Sequence, residues 1–159
     1  MGIFYWLESS ILAIWIGESL WGYPIALTMH SVGMAVMVGI VLVIDLRVAG
    51  RFSSLSFVGL QRALRLAWCG FAINLLSGFS LFSSQASYFA THTAFLIKIA
   101  AIFLAAINAY LLQKLLADRA ASWDQGIAVD QKAKRLAISS MLFWLVAIIA
   151  GRLIAYVGG

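Results

Sequence analysis

The chain has 159 residues, 64% of them hydrophobic and 11% charged, with a mean hydropathy of +0.99. Soluble domains run at about 45–50% apolar and about 25% charged, so a water-soluble fold is excluded, and the length suits about four membrane spans of roughly 20 residues. The net charge of +5 does not point to nucleic acid: Arg47, Arg51, Arg62 and Arg65 follow the first apolar run and Lys114, Arg119, Lys132, Lys134 and Arg135 follow the third. Basic residues in alternate loops are the mark of a cytoplasmic side.

In chain order, residues 1–22 come first. The opening Met-Gly-Ile-Phe-Tyr-Trp lacks the basic stretch of a cleaved signal peptide, so the first span is expected to direct its own insertion. Glu8, Ser9, Ser10, Glu18 and Ser19 stand among Phe4, Tyr5, Trp6, Trp15 and Trp21, with no apolar run long enough to span. This pattern predicts an interfacial helix on the periplasmic surface, since Trp and Tyr favour the headgroup level.

Four predicted spans follow: Pro24 to Ile44, Leu66 to Ser83, Thr91 to Leu112 and Leu136 to Val157. Backbone groups in hydrocarbon need internal partners and these runs do not alternate, so each span must be helical. Ser84 to Ala90 reads as a connection, and Ser122 to Asp130 as a solvated loop. The expected fold is all-α, a single domain over residues 1–159 forming an integral four-helix bundle in a bacterial inner membrane, with both termini periplasmic. Small residues at four-residue spacing suggest where helices approach: Ser31, Ala35 and Gly39; Gly70, Asn74 and Gly78; Ala101, Ala105 and Ala109; Ala147, Gly151 and Ala155. Cys69 stands alone, so no internal disulfide exists and packing is its expected role.

Ionisable groups inside a bilayer are costly, which makes each a functional candidate. His30, Lys98 and Arg152 lie six residues after Pro24, seven after Thr91 and five before Val157. At about 1.5 Å per residue, that places all three roughly 8–10 Å below the same end of their predicted helices. Singly, Lys98 and Arg152 can snorkel and His30 can donate to a carbonyl one turn away. Together they repel, and need a carboxylate, with Glu18 the nearest, or a ligand bearing negative charge. The expectation is a pocket open to the periplasm, with Asn74, Ser77 and Asn108 as neutral lining.

His30 and His92 are the only histidines. With Lys98 and Arg152 beside propionates they supply the inventory of a haem b site, although His92 should lie about 9 Å above His30 along the membrane normal. A quinone headgroup needs no second histidine. Copper is a third possibility, because His30, Met34 and Met37 share a helix face, but methionine also fills cores. Asp45 and Arg47 are expected to pair with each other or to cap the first span. No Walker loop, Rossmann glycine pattern, His-Glu-x-x-His, CxxC or Gly-x-Ser-x-Gly occurs, so conventional soluble-type catalysis finds no support.

Taken together, Tyr23-Pro24, His30-x-x-Gly33-Met34-Ala35-x-x-x-Gly39, Asp45-Leu46-Arg47-x-x-Gly50, Phe95-x-x-Lys98, Asn108-Ala109 and Ala150-Gly151-Arg152-x-Ile154-Ala155-Tyr156 carry a resemblance over nearly the whole chain. It resembles short, uncharacterised four-span proteins of bacterial inner membranes, distantly similar to the membrane domain of copper-resistance protein D and to cytochrome b-type bundles. The resemblance implies that His30, Lys98 and Arg152 belong to a shared pattern; His92 lies outside it. Three classes of function stay open: a redox-associated protein binding haem b or a quinone, a copper handler, and a non-catalytic accessory subunit. The expected partners are the lipid bilayer and either a larger membrane complex or further copies of the chain.

Overall fold

The structure, a computed structural model, describes residues 2–156. Among them seven helices run α1 (Gly2–Glu8), α2 (Ile11–Glu18), α3 (Gly22–Val48), α4 (Phe57–Ser83), α5 (Ala86–Thr91), α6 (Thr93–Asp124) and α7 (Gln131–Leu153). The four long ones, α3, α4, α6 and α7, are apolar and long enough to cross a membrane. They alternate in direction and form a four-helix membrane bundle. At most 28% of any apolar window is buried inside the bundle, so most of each helix surface faces lipid. One end of the bundle carries both basic connections. The other, the aromatic end, carries α1, α2 and α5.

The long helices outrun the predicted spans at the basic end. α4 begins nine residues before Leu66, α6 continues twelve beyond Leu112, and α7 begins five before Leu136. Arg62, Arg65, Lys114, Arg119, Lys132, Lys134 and Arg135 are therefore helical rather than loop residues. Charge marks where lipid ends and does not break a helix, so helices stop at caps instead. Gly50, at φ +96°, closes α3: Arg51 N–H donates to Leu46 O and Gly50 N–H to Arg47 O, the two bonds of a Schellman stop. Ser56 caps the N-terminus of α4, and Asp124 reaches over from the end of α6 to accept from Phe57 N (2.7 Å) and Val58 N (3.1 Å). Asp124, expected in a solvated loop, thus fastens α4 to α6. The predicted end of the fourth span at Val157 lies outside the described residues.

Residues 1–22 form two short helices rather than one, because Ser10 starts a new helix by accepting from Ala13 N. α2 buries Ala13 and Ile16 against α3 and α4. α1 lies on α5, where Glu8 Oε1 accepts from Ser87 Oγ (2.7 Å) and Ser87 N (2.8 Å). Those two bonds, the hydroxyl first, hold the Glu8 carboxyl below the ordinary glutamate range. The group is depressed in the folded state, so its contribution is present above the ordinary glutamate pKa and fades as pH falls through the lower folded value. Proteolysis within residues 2–20 should therefore accelerate on acidification, and Glu8→Gln should flatten that dependence. Identical pH profiles for the two proteins would refute the role of this contact.

The closest helix pair is α3 with α4. A Cβ on Gly33 would stand 2.8 Å from both Asn74 N and Gly70 O, and one on Gly70 would stand 2.9 Å from Gly33 O. Two backbones meet here, as small residues allow where no hydrophobic effect drives helices together. The α4 stripe Gly70, Asn74, Gly78 faces α3 as expected. The α3 stripe does not: Ser31, Ala35 and Gly39 are exposed, and the contacting residues are His30, Gly33 and Met37, on the adjoining face. Met37 and Val41 then pack on Ala101 and Ala105 of α6 and on Trp144 and Ala147 of α7.

Candidate functional site

His30 lies eight residues into α3, about 12 Å from its start. It is tied to α4 by a reciprocal pair of bonds. The imidazole Nδ1 donates to Asn74 O (3.0 Å), and the Asn74 side-chain amide donates to His30 O (2.8 Å). Ser77 Oγ stands 3.4 Å from the same Nδ1 and donates to Ile73 O (2.6 Å). A carbonyl accepts only, so Nδ1 carries the proton, and in the neutral ring Nε2 keeps a lone pair. Gly78 is the seat of the ring. A Cβ there would sit 2.9 Å from His30 Cε1 and 3.1 Å from Nδ1.

Lys98 lies five residues into α6, about 7.5 Å from its start. Its stem crosses the backbone of α7 at Gly151, where a Cβ would be 3.4 Å from Lys98 Cδ and 3.8 Å from Nζ. Among the described residues the ammonium has no hydrogen-bond or ion-pair partner. Glu18, the expected counter-charge, is exposed at the end of α2.

His30 and Lys98 line the same two cavities, sharing Gly78, Phe82 and Phe95 with them. One cavity, of about 350 Å³, lies between α4 and α6 and is otherwise apolar except for Asn74; its rim residues Leu75, Phe79 and Ile99 are exposed on the lipid-facing surface. The second, of about 210 Å³, lies toward the aromatic end and reaches Tyr23, Gln85 and Gly151. Phe82 and Phe95 stack in parallel, centroids 5.4 Å apart and planes 14° apart, giving a flat aromatic wall beside the two polar groups. This arrangement can offer a donor from Lys98 and an acceptor from His30 to a planar molecule entering from the bilayer.

The other predicted site residues lie elsewhere. Arg152 is one residue from the end of α7, exposed, and donates to Tyr156 OH (2.9 Å) with its guanidinium 5.2 Å from that ring. Its neighbour Gly151 touches the Lys98 stem, so what separates Arg152 from His30 and Lys98 is the outward turn of its side chain. Asn108 is ten residues from Lys98 toward the basic end; it donates to Leu136 O (2.6 Å) and accepts from Ser139 Oγ (3.3 Å), joining α6 to α7. His92 forms the corner between α5 and α6, 2% exposed, its ring 5.1 Å from that of Tyr88, and it lines neither cavity. For copper, Met37 is core, Met34 half-buried and Met29 exposed, and among the described residues no group of three or more His, Cys, Asp or Glu converges on a metal position.

Asp45 departs most from expectation. Arg47 does not pair with it: Arg47 Nε donates to Leu55 O (2.7 Å) and its guanidinium lies 4.1 Å over Phe57. Asp45 is wholly buried and faces Ser140 of α7. Gly78 and Gly151, which make room for His30 and Lys98, stood out in the sequence only as members of small-residue stripes. No family model, curated protein or solved structure matches the chain.

Proposed function

We propose that the protein is a multi-pass protein of a bacterial inner membrane that binds the headgroup of an isoprenoid quinone on the periplasmic side and takes part in electron transport. The observation that carries this reading is the pairing of Lys98 and His30 on an aromatic-walled cavity that opens sideways between α4 and α6. A quinone carbonyl accepts from the Lys98 ammonium, and a quinol hydroxyl donates to His30 Nε2. The isoprenoid tail passes between Leu75, Phe79 and Ile99 into lipid, a route that a water-borne ligand would not need. The resemblance to cytochrome b-type bundles favours the same class. Organic extraction of detergent-purified protein, with a visible spectrum and metal analysis of the same sample, tests it. The expected result is quinone at near-stoichiometric amount without a Soret band. A Soret band or bound copper would replace the reading with haem or copper, and a protein carrying none of the three would point to the accessory role.

The orientation belongs to the same proposal. The basic end lies in the cytoplasm and the aromatic end, with both termini, in the periplasm, because cytoplasmic connections retain Lys and Arg. Reporter fusions at Ser87 and Gln125 should be periplasmic and cytoplasmic, respectively. The reverse pattern would overturn it.

A further inference from the structure

Asp45 lies three residues from the basic end of α3, inside the bundle and 0% exposed. Neither of its carboxylate oxygens, nor the buried hydroxyl of Ser140 that faces them, makes a hydrogen bond of acceptable geometry among the described residues. Its surroundings are neutral on every side. Leu64 faces it from α4, Leu112, Gln113 and Leu116 from α6, and Ser140 from α7, while the guanidinium of Arg47 on α3 itself is turned to Leu55 and Phe57. An ionised carboxylate in such a place is uncompensated, and a buried acid with no cation in reach takes up a proton instead.

Two adjoining cavities lie beside this carboxyl. A cavity of about 20 Å³ is lined by Asp45 and Gln113, and one of about 50 Å³ by Gln113, Trp68 and Trp144; both are walled by Val41, Leu64 and Ala109. A water needs about 10–15 Å³ and polar partners; by volume the smaller cavity admits one and the larger several, in mostly apolar walls whose polar residues are Asp45, Gln113, Trp68 and Trp144. The indole N–H of Trp144, 8% exposed, is a second buried group without a partner, and it belongs to a residue lining the larger cavity. Trp68 Nε1, on the exposed side of the larger cavity, donates to Gln113 Oε1 (3.2 Å) and joins α4 to α6.

We propose that Asp45 is an intramembrane proton-binding site, its carboxyl carrying a proton that exchanges with solvent through water in these two cavities, past the Trp68–Gln113 contact. In each exchange the carboxyl O–H is broken as its proton passes to a cavity water, and a proton from the same water chain restores the acid, so no net charge stays buried. The carboxyl is remote from the quinone pocket, although the larger cavity shares the Phe71 wall with it. It lies about 22 Å along α3 from His30, and neither cavity is lined by His30 or Lys98.

Infrared spectroscopy of the purified full-length chain in H₂O and D₂O tests this. The wild type should show at neutral pH a protonated-carboxyl C=O band that is absent from Asp45→Asn and moves to lower frequency in D₂O. Gln113→Leu should keep the band and slow its deuterium shift at least about tenfold. If Asp45→Asn does not fold, ¹³C-carboxyl aspartate in the wild type assigns the band, because Asp118, Asp124 and Asp130 are not buried. Absence of an Asp45-dependent C=O band would overturn the proposal, as would a carboxylate band that responds to sodium, which marks a cation site. A C=O band unmoved by prolonged D₂O would also overturn it, showing a sealed neutral acid.

Discussion

On the proposed quinone function, His30→Ala should strip quinone from the purified protein while leaving the four-helix bundle assembled. The substitution removes the acceptor for a quinol hydroxyl, and one hydrogen bond to a buried polar ligand is worth about 1–3 kcal/mol, or about five- to 150-fold in affinity. Lys98→Ala should act at least as strongly on the oxidised form, since a bond from an ammonium is charge-assisted. Gly78→Ala supplies the sharper control. It changes neither polar group, yet its Cβ would stand 2.9 Å from His30 Cε1 and force the ring from its seat, so quinone should fall here too. Arg152→Ala, which lines neither cavity, should leave occupancy unchanged. Equal quinone content in wild type, His30→Ala and Lys98→Ala would end the quinone reading, and loss in all four variants alike would show instability rather than a site.

Gly33→Leu should destabilise the bundle more than any polar substitution in the pocket. Its side chain would have to enter a gap where even a Cβ lies 2.8 Å from backbone atoms of Asn74 and Gly70, neither of which can swing aside as a flexible side chain does. Overpacking typically costs about 1–3 kcal/mol, and a backbone–backbone contact belongs at the upper end of that range. The variant should show a lower melting temperature in detergent and, because His30 and Asn74 clasp the same crossing, a loss of quinone as well. Gly39→Leu is the matched comparison. A Cβ on Gly39 meets nothing within 4 Å, and the position faces outward, so the variant should melt with the wild type. Similar melting of Gly33→Leu and Gly39→Leu would show that α3 and α4 do not meet through Gly33.

The difference between these two glycines shows where sequence reading stopped. Four spans, their helical nature and their alternation were legible, because hydrocarbon imposes length and internal hydrogen bonding on any chain that crosses it. His30 and Lys98 were legible as well, since a polar group inside an apolar run stands out. Which stripe of small residues touches which was not. In lipid the apolar and small faces of a helix are equally at ease, so the rotation of α3 is decided by its contact with α4. Span limits were misjudged at the basic end for a related reason: hydropathy follows the edge of the lipid, whereas helices end at Gly50, Ser56, Asp124 and Gly126.

Composition and spacing by themselves determined that this chain is a four-helix membrane bundle with ionisable groups set into three of its helices, because the cost of burying charge and unpaired backbone in hydrocarbon holds for any fold. Only the tertiary structure decided which polar groups meet. It put His30 beside Lys98 through the room left at Gly78 and Gly151, turned Arg152 outward to Tyr156, gave Asn108 to the α6–α7 contact, and buried Asp45 opposite Ser140. Each of those outcomes depends on helix rotation and on where a helix ends, and these are set by close packing between chain segments far apart in sequence.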